Sequence, residues 1–174
     1  IDRPGAAAAV ETRQHQLGCG RSDRVSDTTL MTVSALVDQT RALAGHLQLK
    51  DFYVYGHSFG TALAAEFYLS HPNGIRGLIL NSPYLDDRIF TKDQDSLIAL
   101  LPDSLQSPLR ESMSGPITDQ AKFGRAFSVF ANNYYDRVLP KGPHIDSSDR
   151  NWGKEISGRM WGTTPMVATG TPSG

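Results

Sequence analysis

A single cysteine, Cys19, among 174 residues excludes an intramolecular disulfide framework and any multi-thiolate metal site. No uninterrupted apolar run approaches the ~20 residues that span a bilayer. The opening decapeptide, two charged residues and then a short alanine tract, is too brief and too weakly apolar for a secretory signal. Charge of one sign is also lacking: 17 Lys and Arg against 18 Asp and Glu leave a formal net charge of -1. No basic run of the kind found in nucleic-acid binders occurs. Asp93 and Asp95 form no metal-ligand pattern with any histidine. With 39% hydrophobic and 20% charged residues, the chain reads as about one domain's worth of soluble, cytoplasmic protein. It is expected to take no cofactor and to bind neither nucleic acid nor membrane; oligomeric state is not legible.

The pattern along the chain is that of an α/β protein. Residues 11–16 have no clean period, and 17–23 form a loop in which Gly18 and Gly20 permit positive φ or close backbone approach. A helix follows, capped by Thr32 or Ser34, with Leu36, Thr40, Leu43 and Leu47 three or four apart. Residues 52–56 are a short, nearly all-apolar run, the pattern of a central parallel strand covered on both faces. Helix then spans 60–69, ended by Pro72, Asn73 and Gly74, and a second strand spans 75–81. Strand, helix and strand across about 30 residues make a βαβ unit with parallel strands. From Asp86 the apolar residues Leu97, Ile98, Leu101, Leu105, Leu109, Phe123, Phe127, Phe130 and Tyr134 predict short helices, broken by Pro102, Pro108, Pro116 and Pro140. The expected division is a core portion over 1–83, a helical insertion over 84–161 and a return segment over 162–174.

The strongest chemical signal is Gly56-His57-Ser58-Phe59-Gly60. Gly-x-Ser-x-Gly alone is weak, but here a strand precedes it and a helix follows, which is the context a nucleophile elbow requires. In such a turn the serine has strained dihedrals, and Gly56 and Gly60 leave room for neighbouring backbone. The hydroxyl stands at a helix N-terminus, where unpaired N–H groups and the helix dipole favour developing negative charge. Ser58 is the candidate nucleophile and the Phe59 backbone N–H one oxyanion donor. The competing reading is an ordinary turn in which Ser58 merely caps the helix. His57 adjoins the serine and leaves the elbow in another direction, so it is expected to be a structural histidine tucked beside the sheet.

These residues resemble the α/β-hydrolase superfamily, and more narrowly the proline iminopeptidase family of serine aminopeptidases. The likeness lies in the loop from Gln16 to Asp23, in the elbow from Tyr53 to Gly60, and in the segment from Ser70 to Ser82. Weaker echoes occur at Leu101-Pro102, at Tyr134 to Arg137, and at Met160-Trp161-Gly162. The resemblance implies a partial α/β-hydrolase fold, a parallel sheet carrying the elbow, plus a helical cap over 84–161. It implies release of an N-terminal residue, often proline, from small peptides or amides through an acyl-serine, without metal or organic cofactor. By the same likeness Gly18, Cys19, Gly20 and Trp161 are candidates to line the pocket, with Cys19 structural rather than catalytic. The chain departs from the family at Arg13-Gln14-His15, where an apolar strand is usual, and at Phe59, where tryptophan is usual. Pro165 stands where a glutamate is expected.

In this fold the triad runs Ser, Asp, His, and neither the acid nor the base is identifiable in the chain. Asp86, Asp87, Asp93, Asp103, Asp136 and Asp146 are candidates for the acid and His144 for the base, although an exposed cap-loop histidine is the favoured reading of His144. The family's second oxyanion loop is likewise not found. A serine without its base has almost no alkoxide at neutral pH. The expectation is therefore a partial hydrolase, inactive as these 174 residues alone. Two other readings stay open: a cap-bearing hydrolase of small esters, lactones or amides, and a non-catalytic binding module.

Overall fold

The computed structural model describes residues 11–136, 138, 140, 142, 150–162, 164–168 and 170. His144 and Asp146 lie outside them.

The first helix, α1 (Val33–His46), begins where the Thr32 hydroxyl accepts the Ala35 N–H at 3.1 Å. That is a serine/threonine N-cap satisfying one of the helix's orphan donors. Strand β1 (Phe52–His57) leads through Ser58 into α2 (Phe59–Ser70), and β2 (Ile75–Asn81) returns parallel to β1. Register pairs Val54 with Leu78 and Gly56 with Leu80. Among the described residues these two strands make the sheet, flanked by helices in an α/β arrangement. No strand occupies 11–16, in keeping with their lack of period.

The expectation that β1 is covered on both faces is corrected. Phe52, Val54 and Ile75 pack against the core, whereas Tyr53 is 63% exposed, Tyr55 60% and Ile79 52%. Successive strand side chains point to opposite faces, and among the described residues only one face of this sheet has helices against it. An all-apolar run therefore did not imply two covers: tyrosine supplies β propensity and a wettable hydroxyl together.

Beyond β2 the chain turns helical, with α3 (Asp87–Ile98), α4 (Asp103–Ser114), α5 (Gln120–Tyr134) and α6 (Lys154–Trp161). Asp86 caps α3 by accepting the Arg88 and Ile89 N–H groups, and Asp119 caps α5 by accepting the Lys122 N–H. Pro102 precedes α4 as expected, but Pro108 lies inside that helix instead of ending it. A proline in the second turn forfeits one backbone hydrogen bond; burial of Leu109 and Ser112 on the same helix offsets that loss.

Two apolar clusters result. One joins Met31, Leu36, Val37, Leu63 and Phe67 to Ile156 and Met160 of α6. The other joins Ile98, Leu101, Leu109, Phe123, Ala126 and Phe130 to Met166. They do not follow chain order: α6 packs with the sheet's helices, and Met166 packs among α3, α4 and α5.

Candidate active site

At Ser58 the backbone turns from strand to helix with φ 51° and ψ -125°. A non-glycine residue at positive φ is costly unless its surroundings fix it. Here the Ser58 N–H donates to the Asn81 carbonyl at 3.0 Å, and its own carbonyl accepts the Thr61 N–H at 2.9 Å. Gly56 makes the turn possible. A Cβ on it would lie 2.6 Å from the Gly60 carbonyl carbon and 2.8 Å from the Thr61 Cα. A Cβ on Gly60 would meet nothing within 4 Å, so only the first of the two glycines is needed for room. Gly60 instead supplies the backbone that approaches Gly56.

The Ser58 side chain makes no helix-capping hydrogen bond, which removes the reading of it as a mere cap. The residue is exposed. Helix geometry leaves the first amides of α2 without intrahelical acceptors, and those of Phe59 and Gly60 stand at this helix start. His57 is exposed rather than tucked beside the sheet, because the alternation that buries Gly56 turns the next side chain outward.

Phe59 belongs to a group of four rings. Its centroid lies 5.6 Å from Trp161 and 6.4 Å from Tyr84; Tyr84 lies 4.7 Å from Trp161 and 5.2 Å from Phe90. Edge-to-face contacts of this kind are each worth about 0.5–1.5 kcal/mol beyond burial. They join the residue after Ser58 to α3 and α6. Trp161 is thereby brought beside the elbow.

The glycine loop is strapped to the approach of α6. Gly18 and Gly20 have φ of 81° and 57°. The Gly20 N–H donates to the Asn151 carbonyl at 3.2 Å, and Arg24 donates to the carbonyls of Asn151 and Gly18. Cys19 is a free, half-buried thiol packed against the first cluster. Burial pushes its pKa up, against the opposing pull of the Arg24 charge, so it is held as a thiol and not as a nucleophile.

A groove of about 670 Å³ runs beside the elbow, lined by Val37, Asp38, Phe59, Glu66, Tyr84 and Asp86 among others. Ser58, Trp161 and the 18–20 loop are not in its lining, so the pocket candidates and this groove do not coincide. Two of the acid candidates are engaged elsewhere. Asp86 sits at the N-terminus of α3, where hydrogen bonds from the Arg88 guanidinium and from two backbone N–H groups hold its pKa down to about 2. Asp87 accepts the Tyr84 hydroxyl. Asp93 and Asp103 are exposed and Asp136 is half-buried. Among the described residues Asp86, Asp87, Asp93 and Asp103 show no hydrogen bond to a histidine or to the Ser58 hydroxyl. No group of three His, Cys, Asp or Glu suited to a metal ion occurs among them either.

Thr61 and Tyr84 are the site residues that sequence reading missed. Neither was singled out from the sequence, Thr61 lying inside the expected helix over 60–69 and Tyr84 at the start of the expected insertion. A threonine three residues after a candidate elbow serine was the available signal.

The profile of the alpha/beta hydrolase fold family matches residues 15–145. Over 156 residues the chain is 30% identical to a proline iminopeptidase of Heyndrickxia coagulans, an alignment covering 89% of this chain and 54% of that protein. A solved proline iminopeptidase from Mycobacterium smegmatis superposes with a TM-score of 0.78 at 28% identity, over 90% of this chain and 54% of that one. The crystal structure of VinJ superposes with a TM-score of 0.80 at 24% identity, again over 90% and 54%, a likeness of fold. The chain spans about half the length of the curated relatives it matches.

Proposed function

We propose, from the premise that the chain belongs to the α/β-hydrolase fold family, that it carries the nucleophile half of a serine hydrolase resembling proline iminopeptidase. The observation that carries this reading is the strained, uncapped Ser58 between β1 and α2, with the Phe59 N–H at the helix start. Its substrates are small peptides or amides with a free amino terminus, and the setting is a cytoplasmic one. No helix among the described residues is long and apolar enough to cross a membrane.

In the proposed reaction a base takes the Ser58 hydroxyl proton as Oγ bonds to the substrate carbonyl carbon. The electron pair of the C=O moves onto oxygen, which accepts the Phe59 N–H. Collapse breaks the C–N bond, and the proton passes from the base to the leaving amine. Water then attacks the acyl-serine, losing a proton to the same base; the ester bond breaks and Ser58 regains its hydrogen. The base and its orienting carboxylate come from segments outside the described residues. Residues 84–161 form the cap that roofs the acyl pocket, and Gly18, Cys19, Gly20 and Trp161 line that pocket.

A second reading, hydrolysis of small esters, lactones or amides, is favoured by the state of two carboxylates at the start of the helical region. Asp86 is paired with Arg88 and Asp87 with Tyr84, so neither is free to hold a substrate ammonium. Rates for an amino-acid arylamide and its N-acetylated counterpart separate the two. A site built around a free amine is expected to reject the acetylated compound by roughly 10⁴-fold. Equal rates for the two would sink the aminopeptidase reading and leave the wider one of a small-ester, lactone or amide hydrolase.

A further inference from the structure

The geometry points to Thr61 as the residue that orients the oxyanion donor, an inference that rests on Ser58 being the nucleophile. The Ser58 carbonyl and the Phe59 N–H belong to one peptide unit, which is planar and trans, so the two point in opposite directions. Whatever grips the carbonyl therefore aims the N–H.

Thr61 grips it twice. Its backbone N–H donates to the Ser58 oxygen at 2.9 Å and its hydroxyl donates to the same oxygen at 2.6 Å. The hydroxyl is fully buried and has a second connection. It accepts the Tyr84 N–H at 2.8 Å, and the Tyr84 carbonyl lies 3.1 Å away as an alternative acceptor for its single proton. A hydroxyl offers one donor and two acceptor sites, so donation to Ser58 and acceptance from Tyr84 are satisfied together. Rotation of the proton toward Tyr84 would release half of the grip.

Tyr84 in turn meets Trp161 and Phe90 edge to face, and Phe59 meets Trp161 on the same group of rings. The peptide that presents the oxyanion donor is thus held on its carbonyl side by Thr61 and on its following side chain by the rings. Thr61 touches neither substrate nor reacting atoms. It is a positioning residue, and through Tyr84 it ties the elbow's alignment to the docking of α3 and α6.

The test is the kinetics of fluorophosphonate labelling on the protein at its native length, separating the saturating rate from the half-saturating concentration. The reagent's phosphoryl oxygen occupies the oxyanion position as the Ser58 Oγ–P bond forms and fluoride leaves. Thr61→Val keeps the shape and removes the hydroxyl; it is expected to lower the saturating rate on the order of 10²-fold. The half-saturating concentration is expected to move less than about twofold, since uniform binding is untouched. Thr61→Ser restores the wild-type rate. Thr61→Cys, milder should the valine variant fold poorly, falls between them because a thiol is the weaker donor. Valine or cysteine variants labelled at the wild-type rate would overturn the role of Thr61 alone, as would a serine variant no better than valine. A wild-type protein that takes no label overturns the nucleophile assignment itself, and the orienting role with it.

Discussion

Alanine at position 56 is expected to destroy the elbow, while alanine at position 60 is expected to leave the fold intact. The two glycines are symmetric about Ser58 in the sequence and unlike in space. At Gly56 a methyl group would fall among the Gly60 carbonyl and the Thr61 Cα, both backbone atoms of α2 that no rotamer change can clear. Relief requires the helix start to move away from the strand. That movement pulls Ser58 out of its hydrogen bond with Asn81 and turns the Phe59 N–H. Overpacking of this kind costs about 1–3 kcal/mol, and more where backbone must shift. A misplacement of about 1 Å at the reacting group is worth on the order of 10²-fold in rate. Gly60 lies in the first turn of α2 with open space around its Cβ position. Alanine there is expected to be neutral or to stabilise by up to about 1 kcal/mol through helix propensity. Urea unfolding of both variants, with serine labelling in parallel, checks the pair.

Phe130→Ala is expected to cause the largest loss of stability in the helical region. The ring is fully buried and meets the rings of Tyr134 at 5.0 Å and Tyr135 at 5.5 Å. Deleting a buried phenylalanine costs about 3–5 kcal/mol, transfer and cavity together, against a total stability of about 5–15 kcal/mol for an ordinary domain. A further consequence follows from the neighbours. The Tyr135 hydroxyl donates to the side-chain carbonyl of the buried Gln94 at 2.9 Å, so a ring that slides into the cavity leaves a buried amide short of a partner. Val129, the adjacent residue on α5, is 39% exposed, and its replacement by alanine is expected to stay within about 0.5 kcal/mol. Thermal or urea melts of the two variants give the comparison directly.

How much of this was legible follows from the range of the forces involved. Both strands and the helix between them were readable because strand runs and helix periods are local patterns. The second strand agrees residue for residue with 75–81. Leu97, Ile98, Leu101, Leu105, Leu109, Phe123, Phe127, Phe130 and Tyr134 all pack in one cluster, since amphipathic spacing reports which face is buried. Spacing says nothing about which cluster a helix joins, so the docking of α6 against the sheet's helices was invisible. The exposure of Tyr53, Tyr55 and His57 was missed because residue type in a strand tells propensity, whereas cover depends on what the rest of the chain places above it. Thr61 and Tyr84 were missed for a related reason. Their bond joins residues 23 positions apart, and the local spacing of Thr61 from Ser58 carries no sign of that second partner. The elbow itself was readable as a motif, but the unequal roles of Gly56 and Gly60 needed coordinates.

Intact-mass measurement of the native-length protein after incubation with a fluorophosphonate, with peptide mapping of the adduct, tests the central claim most directly. One adduct per chain, located on Ser58 and abolished by Ser58→Ala, is the expected result. A protein that stays unmodified at saturating reagent, or carries its adduct on another residue, would contradict the assignment of Ser58 as the nucleophile of a serine hydrolase.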